Sequence, residues 1–220
     1  MEKHIVVAID GPAGSGKSTV AKLIAERLNF VYIDTGAMYR ALTLKAMRKK
    51  IDLDDAGALA ELARSTKIDL VHDTALKVLL DGEDVTGLIR TPELTNNVKH
   101  VAGVAGVRSE MVKLQQLIGR RRSSVLEGRD IGTVVFPDAQ YKFYLDAHIE
   151  ERTKRRHKEL LESGQDVTLA AMKQDIEKRD TSDIKRKVGA LKKAEDAVAV
   201  DTTYLSIDEV VEKLLSHIRP

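Results

Sequence analysis

The chain lacks cysteine and tryptophan altogether, and its 220 residues include only three phenylalanines and five tyrosines. Without cysteine there can be no disulfide, no thiol nucleophile and no cysteine-ligated zinc site. So few aromatic side chains also argue against a base-stacking surface for single-stranded nucleic acid.

The sequence also has little net charge and no long apolar run. Its 36 Lys and Arg residues oppose 34 Asp and Glu residues, a formal net charge of +2, whereas a general nucleic-acid coat needs a large basic excess. The apolar run Ile5 to Ile9 is too short for a signal peptide or a membrane span. We therefore expect a globular cytoplasmic protein that binds neither polymeric nucleic acid nor a membrane, and, in the absence of a heptad pattern, a monomer.

The charge that is present is unevenly spread along the chain. Residues 150–193 hold 13 basic and 9 acidic residues, so this segment is basic while the remainder is slightly acidic. Such a segment is either a solvated helical face or a local anion site.

Short β-branched runs alternate with amphipathic stretches. The pattern predicts strands at 5–9, 31–33, 123–126, 141–145 and 197–200, and helices at 18–28, 37–50, 56–66, 98–121, 150–162, 169–180 and 206–217. This order predicts an α/β fold, a doubly wound sheet of five parallel strands flanked by helices. Short extended pieces between 68 and 85, with hairpin turns at 72–73 and 81–82, predict a small antiparallel insertion. A turn at 163–164 separates the two charged helices.

A glycine-rich motif follows the first strand and precedes the first helix. It matches G-x-x-x-x-G-K-[ST], and the spacing lets successive backbone N–H groups point at phosphate oxygens. Lys17 is placed to reach the β- and γ-phosphates, and the Ser18 hydroxyl to bind Mg²⁺. We expect ATP to contact Gly11, Pro12, Ala13, Gly14, Ser15, Gly16, Lys17, Ser18 and Thr19. No Asn-Lys-x-Asp guanine-reading motif is present, which disfavours a GTPase and favours a small-molecule kinase.

Arginines and carboxylates cluster where two further strands end, at 34–40 and at 127–130. Ligands of parallel sheets gather at these strand ends, and the planar arginine fork suits phosphate. A third cluster, Arg179, Asp183 and Arg186, has helical spacing on one face. The preceding helix adds Arg152, Arg155 and Arg156, so two arginine faces could close over a triphosphate. Surface ion pairs, or an ion-pair network that includes Asp180, remain the alternatives.

Five segments together resemble the bacterial cytidylate kinase family: GPAGSGKST at 11–19, DTGAMYRA at 34–41, GEDVTGLIRT at 82–91, EGRDIGTVVFPDA at 127–139 and KRDTSD with a following arginine at 178–186. The resemblance covers essentially the whole chain. It implies one kinase unit with a P-loop core (1–38, 101–150 and 190–220), an insertion that binds the nucleoside monophosphate (39–100) and a helical lid (151–189). The implied reaction transfers the γ-phosphate of ATP to CMP or dCMP with Mg²⁺.

The resemblance also implies roles for particular residues. The CMP phosphate would bind Thr35, Arg40, Arg129 and Arg186; cytosine would bind Arg108 and Asp130; and the ribose would bind Arg179 and Asp183. The lid arginines 152, 155 and 156 would approach ATP, and the catalytic cations would be Lys17, Arg129, Arg179 and Arg186. Glu127, or alternatively Asp34, would hold a metal-bound water. The chain departs from the family at Lys99, where relatives often have a serine near the base.

The chemistry agrees with this reading. A carboxylate accepts from the N4 amino group of cytosine and an arginine donates to N3, whereas uracil reverses both positions and would leave the pair unsatisfied. A phosphate nucleophile is already anionic, so no general base is needed. The alternatives are a kinase of another small acceptor, such as UMP or shikimate, and a non-enzymatic nucleotide- or RNA-binding regulator.

Overall fold

The structure, a computed structural model, describes residues 4–72, 76–162 and 164–219. The strands are β1 (Val6–Asp10), β2 (Val31–Asp34), β3 (Ile68–His72), β4 (Leu76–Leu80), β5 (Glu83–Asp84), β6 (Ser124–Gly128), β7 (Tyr141–Asp146) and β8 (Val198–Asp201). The α-helices are α1 (Lys17–Leu28), α2 (Thr35–Arg48), α3 (Ala56–Arg64), α4 (Pro92–Ala102), α5 (Ala105–Gly119), α6 (Ile149–Glu162), α7 (Leu169–Lys185) and α8 (Ile207–Leu215). A 3₁₀ turn spans Leu88–Arg90, and a π-helical turn spans Ile131–Val135.

The main sheet has five parallel strands in the order β2-β6-β1-β7-β8, which confirms the predicted fold class. Side chains of a strand alternate between the two faces of a sheet. In β1, Val7 and Ile9 pack with α1 and α8, whereas Val6 and Ala8 pack with α2, α3 and α5. Because both faces of the central strands are covered by helices, their apolar runs are continuous.

Strand register fixes where the motifs leave the sheet. Asp10 of β1 lies opposite Gly128 of β6, and Asp34 of β2 lies opposite Glu127. The glycine-rich loop, the start of α2 and the segment after β6 therefore leave the same edge side by side, where parallel sheets bind their ligands.

The predicted antiparallel insertion is confirmed as the three-stranded sheet β3-β4-β5. Its second turn has Asp81 and Gly82 at φ 50° and 91°, the left-handed pair that a tight two-residue hairpin requires. The other predicted turn was at 72–73. His72 is instead the last residue of β3, and residue 73 lies outside the described residues.

The prediction of one helix over 98–121 is wrong. α4 already begins at Pro92, where the Thr91 side chain caps the Leu94 amide, and it ends at Ala102. The chain then restarts at Ala105 as α5. The break lets α4 pack on α2 while α5 packs on α3.

Helices α6 and α7 pack on each other through a small apolar cluster of Leu160, Met172 and Ile176. α7 continues to Lys185, five residues past its predicted end, and so carries Asp183. Gly164 has φ 78° in the connection, and residue 163 is outside the described residues. In the part of the chain that the structure describes, no helix is both long and apolar enough to cross a membrane.

Candidate active site

The glycine-rich loop joins β1 to the N-terminus of α1. Gly14 and Gly16 have φ values of 75° and 83°, a conformation that glycine adopts without steric cost. A side-chain carbon at Gly14 would also lie only 2.8 Å from the carbonyl oxygen of Arg152. The Ser15 hydroxyl is buried without a hydrogen-bond partner, and Ser18 and Thr19 are exposed on the first turn of α1. The loop therefore presents unpaired polar groups at a helix N-terminus, a suitable anion site.

Lys17 is buried, 6% exposed, and its Nζ donates to the carbonyl oxygen of Pro12 at 2.9 Å. Burial and, next to it, the neighbouring guanidinium of Arg129 lower the pKa of Lys17 to about 7. The ammonium lies in a pocket that disfavours its charge unless an anion enters.

The side chains at the end of β2 are held by one another. Asp34 caps α2 by accepting from the Ala37 amide at 2.8 Å and also accepts from Arg40 Nη2 at 2.9 Å. Burial alone would raise the pKa of Asp34, but the Arg40 guanidinium holds it below its usual value. The Thr35 hydroxyl donates to the carbonyl oxygen of Glu127 at 2.7 Å. Arg40 therefore forms an ion pair, the arrangement that the sequence left open as the alternative to phosphate binding. The pair lies at the edge of the sheet where ligands bind and not on an open surface.

The Asp183 carboxylate joins α7 to the end of β6. It accepts from Arg129 Nε at 2.7 Å and pairs with Arg186 through its other oxygen. Burial opposes ionisation of Asp183, but the Arg129 and Arg186 guanidinium groups hold its pKa below the usual value. Asp183 therefore holds two of the predicted phosphate ligands side by side.

Arg179 differs from its neighbours, because it makes no hydrogen bond or ion pair with any residue that the structure describes. Burial lowers the pKa of Arg179 to about 10, with Arg129 as the next cause. The Arg129 guanidinium thus lowers the pKa of both Lys17 and Arg179, whereas its own pKa, which burial would lower, is raised by the Asp183 carboxylate.

Arg108 and Asp130 form a buried ion pair, with 3% and 5% of their surfaces exposed. The Arg108 guanidinium lies over the Tyr39 ring at 5.6 Å, and its Nε has no hydrogen-bond partner. Both residues were predicted to bind the same base, and the structure places them in contact. Tyr39 was not predicted. Its position within the DTGAMYRA motif, one residue before Arg40, was the available signal.

The three arginines of α6 have different surroundings. Arg152 donates to the carbonyl oxygen of Ala13 at 3.1 Å and to Asp180 at 2.6 Å, so it fastens α6 to the glycine-rich loop and to α7. Arg155 donates to the carbonyl oxygen of Thr202 at 2.6 Å, just past β8. Arg156 pairs with Glu159 at 2.7 Å and lines the cleft described next.

A cleft of about 470 Å³ lies between α4 on one side and α6 and α7 on the other. Six basic side chains and two carboxylates line it: Arg90, Lys99, Arg156, Lys178, Arg179, Arg186, Asp175 and Asp183. We refer to it as the basic cleft. Five residues predicted as ligands line it, namely Ala13, Arg156, Arg179, Asp183 and Arg186, and so does Lys99, the departure from the family pattern. Its charge suits an anionic ligand, with an apolar end at Leu160, Val167 and Met172.

The oxygen donors near the loop fit Mg²⁺ bound mainly by a nucleotide. Among the described residues, no group of three or more His, Asp or Glu side chains could hold a metal by itself. The exposed Ser18 hydroxyl offers one hard oxygen ligand, and Mg²⁺ commonly takes its other ligands from phosphates and water. Both carboxylate oxygens of Asp34 are hydrogen-bonded, whereas Glu127 accepts from the Tyr32 hydroxyl with one oxygen, at 2.8 Å.

Known proteins resemble the chain over nearly its full length. A family model described as cytidylate kinase matches residues 7–220. The chain is 53% identical over 216 residues to the cytidylate kinase of Desulforamulus reducens, covering 98% of this chain and 97% of the relative. It is 50% identical over 216 residues to that of Bacillus subtilis, covering 98% and 96%. A solved structure of an uncharacterized protein from Eubacterium ventriosum shares the fold alone, with a TM-score of 0.55 at 14% identity and 98% coverage of both chains.

Proposed function

The chain belongs to the cytidylate kinase family of nucleoside monophosphate phosphotransferases, and on that premise we propose that it transfers the γ-phosphate of ATP to CMP or dCMP. The products are ADP and CDP or dCDP. The observation that carries the proposal is the group of Lys17, Arg129 and Arg179: burial and the nearby Arg129 guanidinium lower the pKa of both Lys17 and Arg179, so these two cations favour an anion's negative charge beside them. Two phosphorylated ligands meeting there supply that negative charge.

The glycine-rich loop holds the ATP phosphates, with Lys17 at the β- and γ-phosphates. Ser18 and phosphate oxygens would hold Mg²⁺, and the bound ion would neutralise part of the phosphate charge. Glu127, with one carboxylate oxygen less engaged than those of Asp34, is the better acceptor for a water of that ion. Arg156 faces the basic cleft directly, whereas Arg152 and Arg155 reach ATP only by exchanging their present partners.

The acceptor phosphate binds between Arg40, Arg129 and Arg186. Asp183 already holds Arg129 and Arg186 in place, which reduces the side-chain entropy lost on binding. Thr35 adds a hydroxyl next to Arg40, and Arg179 with Asp183 faces the ribose.

The base is read by Asp130 and Arg108. Cytosine inserts its N4 amino group and N3 between groups that pair with each other in this structure. The Tyr39 ring stacks against the Arg108 guanidinium on one face. Uracil would place a carbonyl against the carboxylate and an N–H against the guanidinium, so both buried groups would lose their partners.

Catalysis is positioning and charge stabilisation. The acceptor phosphate is anionic at neutral pH, so its oxygen attacks the γ-phosphorus in line without a general base. Lys17, Arg129, Arg179 and Arg186 stabilise charge on the transferring group, which passes through a loose transition state. We propose that residues 39–100 and the α6–α7 lid, residues 151–189, close on each other across the basic cleft between them and exclude water.

A substrate panel tests the reaction itself. ADP release is followed with ATP and Mg²⁺ and one acceptor at a time: CMP, dCMP, UMP, AMP or shikimate. We expect rapid turnover with CMP and dCMP and slow turnover with the others. Turnover with shikimate or UMP alone would replace the proposal with a kinase of that acceptor, and no turnover together with salt-dependent RNA binding would favour the regulator. The monomeric state and cytoplasmic location stay predictions.

Asp130→Ala tests how the base is read. We expect the ratio of kcat/KM for CMP to that for UMP to fall roughly 10–100-fold, because one base-edge contact is lost. The control is Asp138→Ala, which removes an exposed carboxylate paired with Arg120 at 3.4 Å on the same segment. An unchanged ratio in Asp130→Ala would show that the base is selected elsewhere.

A further inference from the structure

Asp10 is a buried carboxylate for which the mechanism above has no use. It is the last residue of β1, next to the glycine-rich loop, and only 4% exposed. Its Oδ1 accepts from the backbone N–H of Ile131 and its Oδ2 from that of Gly132, each at 2.8 Å. Both oxygens are therefore committed to two consecutive amides of another segment.

Those two amides follow Asp130 directly. The carbonyl oxygen of Asp130 accepts in turn from the amides of Val134 and Val135, at 2.9 and 3.2 Å, inside the π-helical turn. The main chain on the C-terminal side of Asp130 is thus fixed on one side by its own turn and on the other by Asp10.

The sheet itself does not hold this segment. The ladder between β1 and β6 ends at the pair Asp10 and Gly128, so residues 129–132 lie beyond its last pair. The Asp10 carboxylate extends the attachment of β1 past that point, to the residues that carry the base-reading and phosphate-binding side chains.

Only a carboxylate can accept hydrogen bonds from both amides with two equivalent oxygens. An ionised Asp has two acceptor oxygens, whereas an Asn of the same shape would turn an N–H₂ donor toward one of the two amide donors. The environment disfavours the charge of this carboxylate, since burial raises the pKa of Asp10 to about 6.

We propose that Asp10 is a positioning residue for base recognition, which holds the main chain after Asp130 so that the Asp130 carboxylate faces Arg108 and accepts from the cytosine amino group. The inference rests on the proposed function, in which Asp130 and Arg108 read the base. Asp10 touches neither substrate, and it acts through the amides of Ile131 and Gly132.

A double-mutant cycle tests it. The ratio of kcat/KM for CMP to that for UMP is measured in the unmodified protein, Asp10→Asn, Asp130→Ala and the double variant. We expect Asp10→Asn to lower the ratio roughly 3–30-fold, through a higher KM for CMP, with the KM for ATP within about twofold of its original value. In the Asp130→Ala background, Asp10→Asn should lower the ratio no further.

The outcomes separate the two proposals. If Asp130→Ala leaves the ratio unchanged, the base-reading proposal fails. If Asp130→Ala lowers it but Asp10→Asn does not, or if the two effects multiply independently, the role of Asp10 is overturned. Asp55→Asn is the matched control, since Asp55 also accepts from a backbone amide, that of Ala58 at 2.9 Å, but as the N-cap of α3 and at no residue placed in the site.

Thermal unfolding establishes that Asp10→Asn is folded before its kinetics are read. If it is not folded, Asp10→Ser is measured in the same cycle, since the serine hydroxyl can rotate so that its oxygen, and not its hydrogen, faces the amides. Failure of both variants to fold would assign Asp10 to stability alone and overturn the proposal.

Discussion

At the scale of single residues, the charges of the site are arranged before any substrate arrives. Lys45 and Lys17 are both buried lysines, but Lys45 pairs with Asp81 at 2.6 Å, whereas Lys17, among the residues that the structure describes, hydrogen-bonds only to the carbonyl oxygen of Pro12. A site that binds phosphate needs such uncompensated positive charge, and it lowers the stability of the ligand-free protein.

Lys17→Met should abolish phosphoryl transfer and stabilise the ligand-free protein. The pKa of Lys17 is lowered in the folded state to about 7 from 10.5, so below pH 7 the folded protein carries the full cost of the buried charge. Between pH 7 and 10.5 that cost fades as the folded lysine loses its proton. We expect the variant to unfold at a higher temperature at pH 6, by roughly 2–4 °C for each kcal/mol gained, and the gain to shrink toward pH 10.

The control for this prediction is Lys45→Met, which removes a paired lysine and should lower the unfolding temperature. Calorimetry over the pH range, with ADP release measured in parallel, gives both readouts. An active Lys17→Met protein, or one stabilised equally at pH 6 and pH 10, would contradict the role and the charge state given to Lys17.

At the scale of elements, the turn after α7 lies against Arg108 of the Arg108–Asp130 ion pair. Gly189 has φ 66°, and a side-chain carbon there would lie 1.9 Å from Arg108 Cζ. The Leu191 amide donates to the carbonyl oxygen of Asp183 at 2.9 Å, which anchors the far side of the turn. The backbone therefore crosses directly over the Arg108 guanidinium, and only glycine allows that approach.

Gly189→Ala should weaken CMP binding. The added methyl group displaces either Arg108 or the turn, so we expect the KM for CMP to rise roughly tenfold and the preference for CMP over UMP to narrow. Steady-state kinetics with both acceptors check this result.

Gly164→Ala is the matched control for that substitution. Gly164 has a similar φ of 78°, but nothing lies within 4 Å of an added side-chain carbon. It should cost about 1 kcal/mol of stability from backbone strain while leaving both KM values unchanged. An equal rise of KM in both variants would show that lid flexibility, and not the contact with Arg108, controls CMP binding.

The elements themselves were predicted where the signal is local. The Asp81-Gly82 hairpin is confirmed, and so is the beginning of the last helix near residue 206, where Ser206 and Glu209 form a capping box. The single helix over 98–121 was wrong because helical periodicity continues through Gly103, and only packing of α4 on α2 and of α5 on α3 makes the break favourable.

At the scale of the whole molecule, the net charge is only +2, yet one cleft is strongly basic. Six cations and two carboxylates line the basic cleft, while acidic residues elsewhere balance the total. Such a field attracts small anions and is screened by salt.

Lys99→Ser should raise the KM for CMP roughly twofold to fivefold, the range expected for one partly exposed charge. It should also reduce the dependence of that KM on ionic strength, with kcat little changed. Lys113→Ser is the control, because Lys113 is exposed on α5 and paired with Glu110 at 2.9 Å outside the cleft. Identical salt dependence in all three proteins would mean that Lys99 does not act on the acceptor.

The sequence by itself determined the phosphate loop, the parallel α/β fold, the basic segment and the family, because each depends on residues close together in the chain or on motifs read as units. Only the tertiary structure decided that β6 lies between β1 and β2. That order places Asp10 beside Gly128 and Asp34 beside Glu127. Pairings such as Arg129 with Asp183 join residues far apart in sequence, and their free energy depends on burial and geometry that no local pattern encodes.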